Sequence, residues 1–169
     1  MKRQKLITLG GILILLFSPG AEAASVSISA NIGFDTPLSI TKKNDISFGT
    51  VKAGVADTYT MSPAGELSVA GPGQWLSGTK SAGNITIMGS TTQTLSISVG
   101  NYTANGGVTP ANATCSYAGG TAQPCVLKGA TSPGNTGATL LLGIDAVVDG
   151  NQTAGSTATP SLTVTIVYG

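Results

Sequence analysis

Two cysteines are the residues of this chain best suited to covalent chemistry. Cys115 and Cys125 are the only cysteines among 169 residues, and the segment between them carries Gly119-Gly120 near its centre. In an exported protein, such an even pair predicts a disulfide across a bridged hairpin or loop. The alternatives are a metal site, which needs more ligands, and a redox pair, which usually has the C-x-x-C spacing. We predict a structural disulfide and no metal site.

The composition offers few residues that could carry out acid–base catalysis. The chain has no histidine, so neither a Ser-His-Asp nor a Cys-His site can be built. Asp145 and Asp149 could act as a glycosidase pair, but four strand positions separate their carboxylates by about 13 Å. The usual separations are about 5–9.5 Å. The glycine-rich stretches lack the lysine of a phosphate loop. We therefore predict no catalytic residues and no small-molecule cofactor.

The first 23 residues predict export. Lys2, Arg3 and Lys5 form a basic region, Leu6 to Phe17 is apolar, and Ala21-Glu22-Ala23 fits a cleavage site for a signal peptide. An uncleaved membrane anchor is the alternative, but the apolar run is short for a span of roughly 20 residues. We expect residues 1–23 to be removed, which leaves an N-terminal segment, 24–33, and a domain, 34–169.

The charge of the remaining chain argues against nucleic-acid binding. From Ala24 onward there are five lysines, no arginine and six acidic residues, a formal charge of −1. Binding to phosphates needs a basic patch, and none is present in this part of the sequence.

Both ends of the processed chain alternate between apolar and polar residues. At the C-terminal end, Ser161 to Gly169, the apolar positions are Leu162, Val164, Ile166 and Tyr168; near the N-terminal end they are Val26, Ile28, Ala30 and Ile32. Period-2 alternation of this kind predicts strands with one buried face. The functional question is whether these two strands close one domain or join neighbouring ones.

The middle of the chain also consists of short strand patterns separated by turns. We predict Lys42–Asp45 as a polar turn and residues 89–93 as a hairpin connection, and interpret residues 140–148 as a doubly buried strand. Further strands are predicted at residues 38–41, 46–49, 57–61, 66–69, 84–88 and 94–99. The expected fold is an all-β, immunoglobulin-like antiparallel sandwich. It is either complete or one strand short, with the last strand supplied by a donor.

Three segments resemble a family of secreted bacterial β-proteins known only as a domain of unknown function. They are L-S-I-T-K-K-N-D-I-S-F-G-T-V-K-A-G from Leu38 to Gly54, the S-P-A-G turn at Ser62 to Gly65, and the closing A-G-S-T-A-T-P-S-L-T-V-T-I-V-Y. This resemblance implies export and a β-sandwich.

The two ends, the disulfide and the penultimate tyrosine are together similar to the subunits of chaperone–usher pili. The resemblance implies that Val26, Ile28, Ala30 and Ile32 are donor-strand plugs, and that Leu162, Val164, Ile166 and Tyr168 edge the acceptor groove. Gly155 sits near a glycine common in that family. The implied partners are other copies or related subunits, a periplasmic chaperone and an outer-membrane usher. The implied route leads across the inner membrane and the periplasm to a fimbrium on the cell surface.

A second hypothesis is a self-contained secreted binding module, adhesin-like or matrix-like. In it the first strand pairs within its own domain, and Trp75 and Tyr102 contact glycans. Trp75, the only tryptophan, can alternatively be a partly buried plug of the core.

Overall fold

The computed structural model describes residues 25–169, and the predicted signal peptide therefore lies outside the described residues. The chain divides between Gly33 and Phe34. The strands of the second unit, in chain order, are β1 (Ser39–Asn44), β2 (Thr50–Val51), β3 (Ala56–Met61), β4 (Leu67–Val69), β5 (Trp75–Ser77), β6 (Gly83–Met88), β7 (Thr94–Thr103), β8 (Val108–Tyr117), β9 (Gln123–Pro124), β10 (Val126–Thr131), β11 (Ala138–Asp149) and β12 (Ser161–Tyr168). One 3-10 turn, Gly134–Thr136, precedes β11.

The larger sheet is built around β11, which has neighbours along both edges. One edge pairs with β8. The other edge pairs first with β6 and then with β3. β1 pairs with the far edge of β6, and β4 with that of β3. The apolar run does form a strand, but the prediction that it is doubly buried is wrong. Its inner face is buried from Leu140 to Val148, whereas on the outer face Leu141 is half-buried and Val147 is 42% exposed, because no further layer covers that face.

The second sheet has the order β10-β7-β12, and all its pairings are antiparallel. Its inward side chains pack on those of the larger sheet to form the main core, whose fully buried members include Ile87, Leu95, Ile97 and Leu140. A smaller core of Tyr59, Ala146 and Val148 lies under the far half of β11. The predicted all-β antiparallel sandwich is confirmed.

Three further local predictions are wrong. β6 and β7 are not a hairpin, since they belong to different sheets and residues 89–93 carry the chain from one sheet to the other. Lys42–Asn44 continue β1, because their backbone pairs with β6 although their side chains are polar. Residues 46–49 make only an isolated bridge, Ser47 with Ser81.

Residues 25–38 are not in a strand in the single chain, so the strand predicted at Val26–Ile32 is not formed there. A β-strand forms only where its backbone pairs with that of another strand. From Val26 to Ile32 the side chains are not packed against a neighbour: Ile28, for example, is exposed. Among the described residues no helix is long and apolar enough to cross a membrane.

Candidate functional site

One side of the sandwich is closed by covalent and hydrogen bonds between the sheets. Cys115 of β8 forms the predicted disulfide with Cys125, which directly precedes β10. The backbone N–H of Cys125 donates to Ala113 O at 3.0 Å, and its carbonyl accepts from Val99 N at 3.2 Å. The Tyr117 hydroxyl donates to Thr131 O at 2.8 Å. We call this β8–β10 side the closed side.

The opposite side is flanked by two edge strands, β1 and β12. β10 and β12 lie on opposite edges of β7, and β8 and β6 lie on opposite edges of β11. Because β8 meets β10 on the closed side, β12 must lie on the side of β6 and β1. Within residues 25–169, β12 pairs only with β7 and β1 only with β6. We call this β1–β12 side the open side.

Ile40 shows that the open side lacks cover. It pairs directly with Ile87 across β1 and β6, and directly paired residues point to the same face. Ile87 is 0% exposed in the core, yet Ile40 on the same inner face is 47% exposed. Every residue of β1 is exposed, so no strand of the second sheet lies over it.

The rim opposite β1 is the inner face of β12. Ile166 pairs with Ile97 and is buried, while Leu162, Val164 and Tyr168 are only half-buried. These four residues are the ones that the sequence predicted at the groove edge, and the structure places them along one edge strand. Their apolar side chains can take up the alternate side chains of an added strand.

A cavity of about 500 Å³ lies next to the start of β12. One wall is the chain that follows β1, from Phe48 to Ala53, and the other is the chain that leads into β12, from Ala154 to Pro160. Tyr59, Ala146 and Val148 form part of its lining. We call this the Pro160 cavity. Pro160 directly precedes β12, so the cavity lies beyond the Ser161 end of that strand.

Tyr168 closes the other end of the open side with a pair of hydrogen bonds. Its hydroxyl donates to Thr36 O and accepts from Ser90 N, both at 2.7 Å. Gly89 leaves room for this hydroxyl, since a Cβ there would come within 2.6 Å of it. Tyr168 therefore holds Thr36, near the start of the domain, against the end of β12.

Asp35 strengthens the same junction. Its carboxylate accepts hydrogen bonds from the Ser90 hydroxyl at 2.5 Å, from the Thr36 N–H and from the Thr92 hydroxyl. These hydrogen bonds hold the pKa of Asp35 below its ordinary value, and the one from Ser90 contributes most to this lowering. We call Asp35, Thr36, Ser90, Thr92 and Tyr168 the clasp.

The N-terminal segment presents its apolar residues to solvent. Val26, Ile28 and Ile32 are 85%, 88% and 78% exposed, and Ala30 is exposed as well. Phe34, two positions beyond Ile32, is 89% exposed and continues their alternation. The segment has no charged residue from Ser25 to Phe34, so burying it would desolvate no side-chain charge.

The charges nearest the open side sit on β1 and just after it. Lys42 pairs with Ile85 and thus also points to the inner face. Its ammonium contacts the Asp45 carboxylate at 2.7 Å, an exposed ion pair. An inward charge on an edge strand discourages unspecific pairing of sheets.

The residues considered for other functions have structural contacts. Lys80 Nζ lies 4.9 Å from the centre of the Trp75 ring, and the side chain of Trp75 is exposed. The Tyr102 hydroxyl accepts from Ala113 N. Asp145 accepts hydrogen bonds from Thr60 and Asn112 across the larger sheet, and Asp149 accepts from Asn151 and Gln152. Within residues 25–169 no three Cys, Asp or Glu residues gather as metal ligands.

These features define a β-sandwich with one closed and one open side, and a comparison of its sequence with known families gives a match. The model of the family described as "Domain of unknown function (DUF4402)" matches residues 38–168. The chain therefore belongs to the DUF4402 family, as the three sequence segments predicted. Neither the curated proteins nor the solved structures contain a match.

Sequence reasoning missed Phe34, Ile40 and the clasp. Phe34 had a signal, because it keeps the period-2 phase of Ile32 beyond Gly33. Ile40 alternates with Ser39 and Thr41 like any buried strand residue, and only the missing neighbour exposes it. The clasp joins residues as far apart as Thr36 and Tyr168, and no local pattern indicates such a contact.

Proposed function

We propose that this chain is a structural subunit of a pilus-like or fimbria-like surface fibre, joined by donor-strand complementation. In this proposal the segment 24–33 of one subunit becomes the missing strand beside β12 of the next. The observation that carries the proposal is Ile40, an inner-face residue that stays 47% exposed beside a fully buried partner.

The energetics favour such an exchange. An added strand gains main-chain hydrogen bonds along β12, and its alternate side chains fill the apolar strip. Fully burying one Val or Ile stabilises by about 1.5–3 kcal/mol. Val26, Ile28 and Ile32 together would then hold neighbouring subunits firmly, although ordering the segment offsets part of this gain.

The partners follow from the open edge. An uncovered apolar strip and an unpaired strand edge invite aggregation, so transit through the periplasm would need a chaperone that covers them. An outer-membrane usher would then exchange the chaperone for the next subunit. The sequence resemblance to chaperone–usher subunits supports both partners and a fibre at the cell surface as parts of this proposal.

The test compares charges placed on the two faces of the segment. We expect Ile28→Asp to abolish polymerisation, because the carboxylate would enter the apolar strip. Ser29→Asp is the matched control, since it puts the same charge on the outer face, and it should still assemble. Electron microscopy and heat-resistant ladders on gels measure the outcome.

Deleting residues 24–32 extends the test. The shortened chain should remain a monomer bound to its chaperone. If it still forms fibres, the proposal is wrong. If the unaltered processed chain, purified alone, elutes as a stable monomer at all concentrations, the hypothesis of a self-contained binding module replaces the fibre proposal.

A further inference from the structure

The Pro160 cavity and the clasp lie at opposite ends of the open side. The cavity walls run directly into Ser161, where β12 begins. The clasp holds Tyr168, where β12 ends. Seven steps along a strand separate these residues by about 23 Å.

Phe34 directly follows the N-terminal segment and is larger than any apolar side chain within it. It cannot reach the cavity of its own chain. Asp35 is held at the clasp end by Ser90 and Thr92. Phe34 is one residue away, a Cα step of about 3.8 Å. That step and one aromatic side chain fall well short of the distance along β12.

We infer that the Pro160 cavity receives the Phe34 side chain of a second copy of this chain, an inference that rests on the proposed function. The five apolar positions from Val26 to Phe34 span about 26 Å when extended, which matches β12 and its lead-in. With Phe34 at the cavity, Val26 lies near Tyr168, and the donor runs antiparallel to β12.

The lining of the cavity suits an extended peptide with a bulky apolar side chain. Phe48, Val51 and Leu76 offer apolar contact, and the volume of about 500 Å³ accommodates an aromatic ring together with its backbone.

The same geometry gives the assembly a direction. The body of the donor follows Phe34 and so sits at the cavity end of the acceptor. The acceptor's own segment leaves from the clasp end, so the two contacts use opposite ends of each copy. Such a head-to-tail contact between different surfaces produces an open chain of subunits.

The alternative arrangement puts a different residue in the cavity. If the segment ran parallel to β12, Val26 would enter the cavity and Phe34 would lie near Tyr168. The nine residues from Asp35 back to Val26 extend about 30 Å. In the parallel arrangement, Val26 could therefore also reach the cavity of its own chain.

The experiment places the photoreactive residue benzoylphenylalanine at position 34 of the full chain under assembling conditions. Copies labelled with heavy nitrogen are mixed with unlabelled copies, and mass spectrometry identifies the cross-linked peptides. We expect links between light and heavy copies that join position 34 to peptides containing Phe48 or Pro160. The same probe at position 26 should reach peptides containing Leu38 or Ser90, and a probe at Ala122 on the closed side should reach neither.

Truncation provides the quantitative check. Phe34→Ala should speed the dissociation of assembled subunits by about 10- to 100-fold, the equivalent of losing one buried aromatic side chain. The variant should fold normally, because Phe34 is almost fully exposed in the single chain. Val126→Ala, which shortens an exposed residue on β10, is the control and should leave the rate unchanged.

The outcomes separate the two proposals. Fibres whose cavity cross-links to position 26 overturn the inference about Phe34 and leave donor-strand assembly standing. If fibres form but position 34 cross-links only within single copies, the inference about Phe34 is also overturned. A chain that never assembles overturns the proposed function and this inference with it.

Discussion

The closed and open sides of the sandwich differ in how the two sheets are held together. On the closed side, Cys125 is bonded to β8 through its sulfur and its N–H, and to β7 through its carbonyl. On the open side, the hydroxyl of Tyr168 makes the hydrogen bonds that join β12 to Thr36 and Ser90. Both sides have apolar inner faces. The comparison teaches that apolar patterning alone does not complete a sandwich, because each inner face also needs a strand above it.

The largest contrast is expected between two residues of one cross-strand pair. Ile87→Ala should destabilise the single chain by about 2–5 kcal/mol, because it leaves a cavity in a packed core. Ile40→Ala should cost less than about 1 kcal/mol there, because its side chain is half in water. Urea unfolding of both variants measures the difference.

Binding of a donor peptide should reduce the difference between the costs of Ile87→Ala and Ile40→Ala. With a synthetic peptide of residues 24–35 bound, Ile40→Ala should cost about 1.5–3 kcal/mol, since the peptide would bury that side chain. A scrambled peptide of the same composition is the control. An effect of Ile40→Ala that is the same with and without the peptide would contradict the open-side interpretation.

The closed side should depend on its disulfide. Removing it with Cys115→Ala and Cys125→Ala should lower the free energy of unfolding by about 2–3 kcal/mol, chiefly because the unfolded chain regains loop freedom. Reductant should destabilise the unaltered protein similarly and leave the double variant unchanged. A closed side that tolerates reduction without loss would mean that its hydrogen bonds suffice.

Tyr168→Phe should have a smaller effect, about 1–2 kcal/mol. The change keeps the ring but leaves Ser90 N and Thr36 O without their partner at the clasp. Thermal unfolding measures the loss. Tyr102→Phe removes a hydroxyl that accepts one hydrogen bond, from Ala113 N, and should therefore cost less than the loss of the two hydrogen bonds of Tyr168. If Tyr168→Phe matches the unaltered protein, the clasp does not hold the end of the open side.

The smallest effect concerns the pH dependence of the clasp. The pKa of Asp35 is lowered in the folded chain, mainly by the Ser90 hydroxyl. Its contribution to stability is therefore complete above its unfolded pKa and is lost as the pH falls through the lowered folded pKa. A carboxyl titration followed by NMR should give a midpoint below 3.8 for Asp35.

Ser90→Ala provides the control for this titration. Removing the hydroxyl should move the midpoint of Asp35 up toward its ordinary value, since the hydrogen bond that lowers this pKa most is gone. A midpoint that stays where it was would show that other contacts set the pKa.

The sequence by itself determined several of the strands of the domain and which of their faces point inward. Alternation located β3, β6, β7 and β12, and the apolar run located β11, because a two-residue period is a local property of the backbone. The spacing of the cysteines around Gly119-Gly120 predicted the bridged hairpin, because the two cysteines lie close together in the sequence. The three segments that carry the family resemblance also lie within single stretches of chain.

Only the tertiary structure decided which strands become neighbours. Residues 89–93 read as a hairpin turn, yet β6 and β7 enter different sheets and face each other across the core. Lys42 reads as a turn residue, yet its backbone pairs with Ile85. The exposure of Ile40 and the contact between Thr36 and Tyr168 follow from such long-range choices. Side-chain period fixes the face of a strand, but it carries no information about what lies beside its edge.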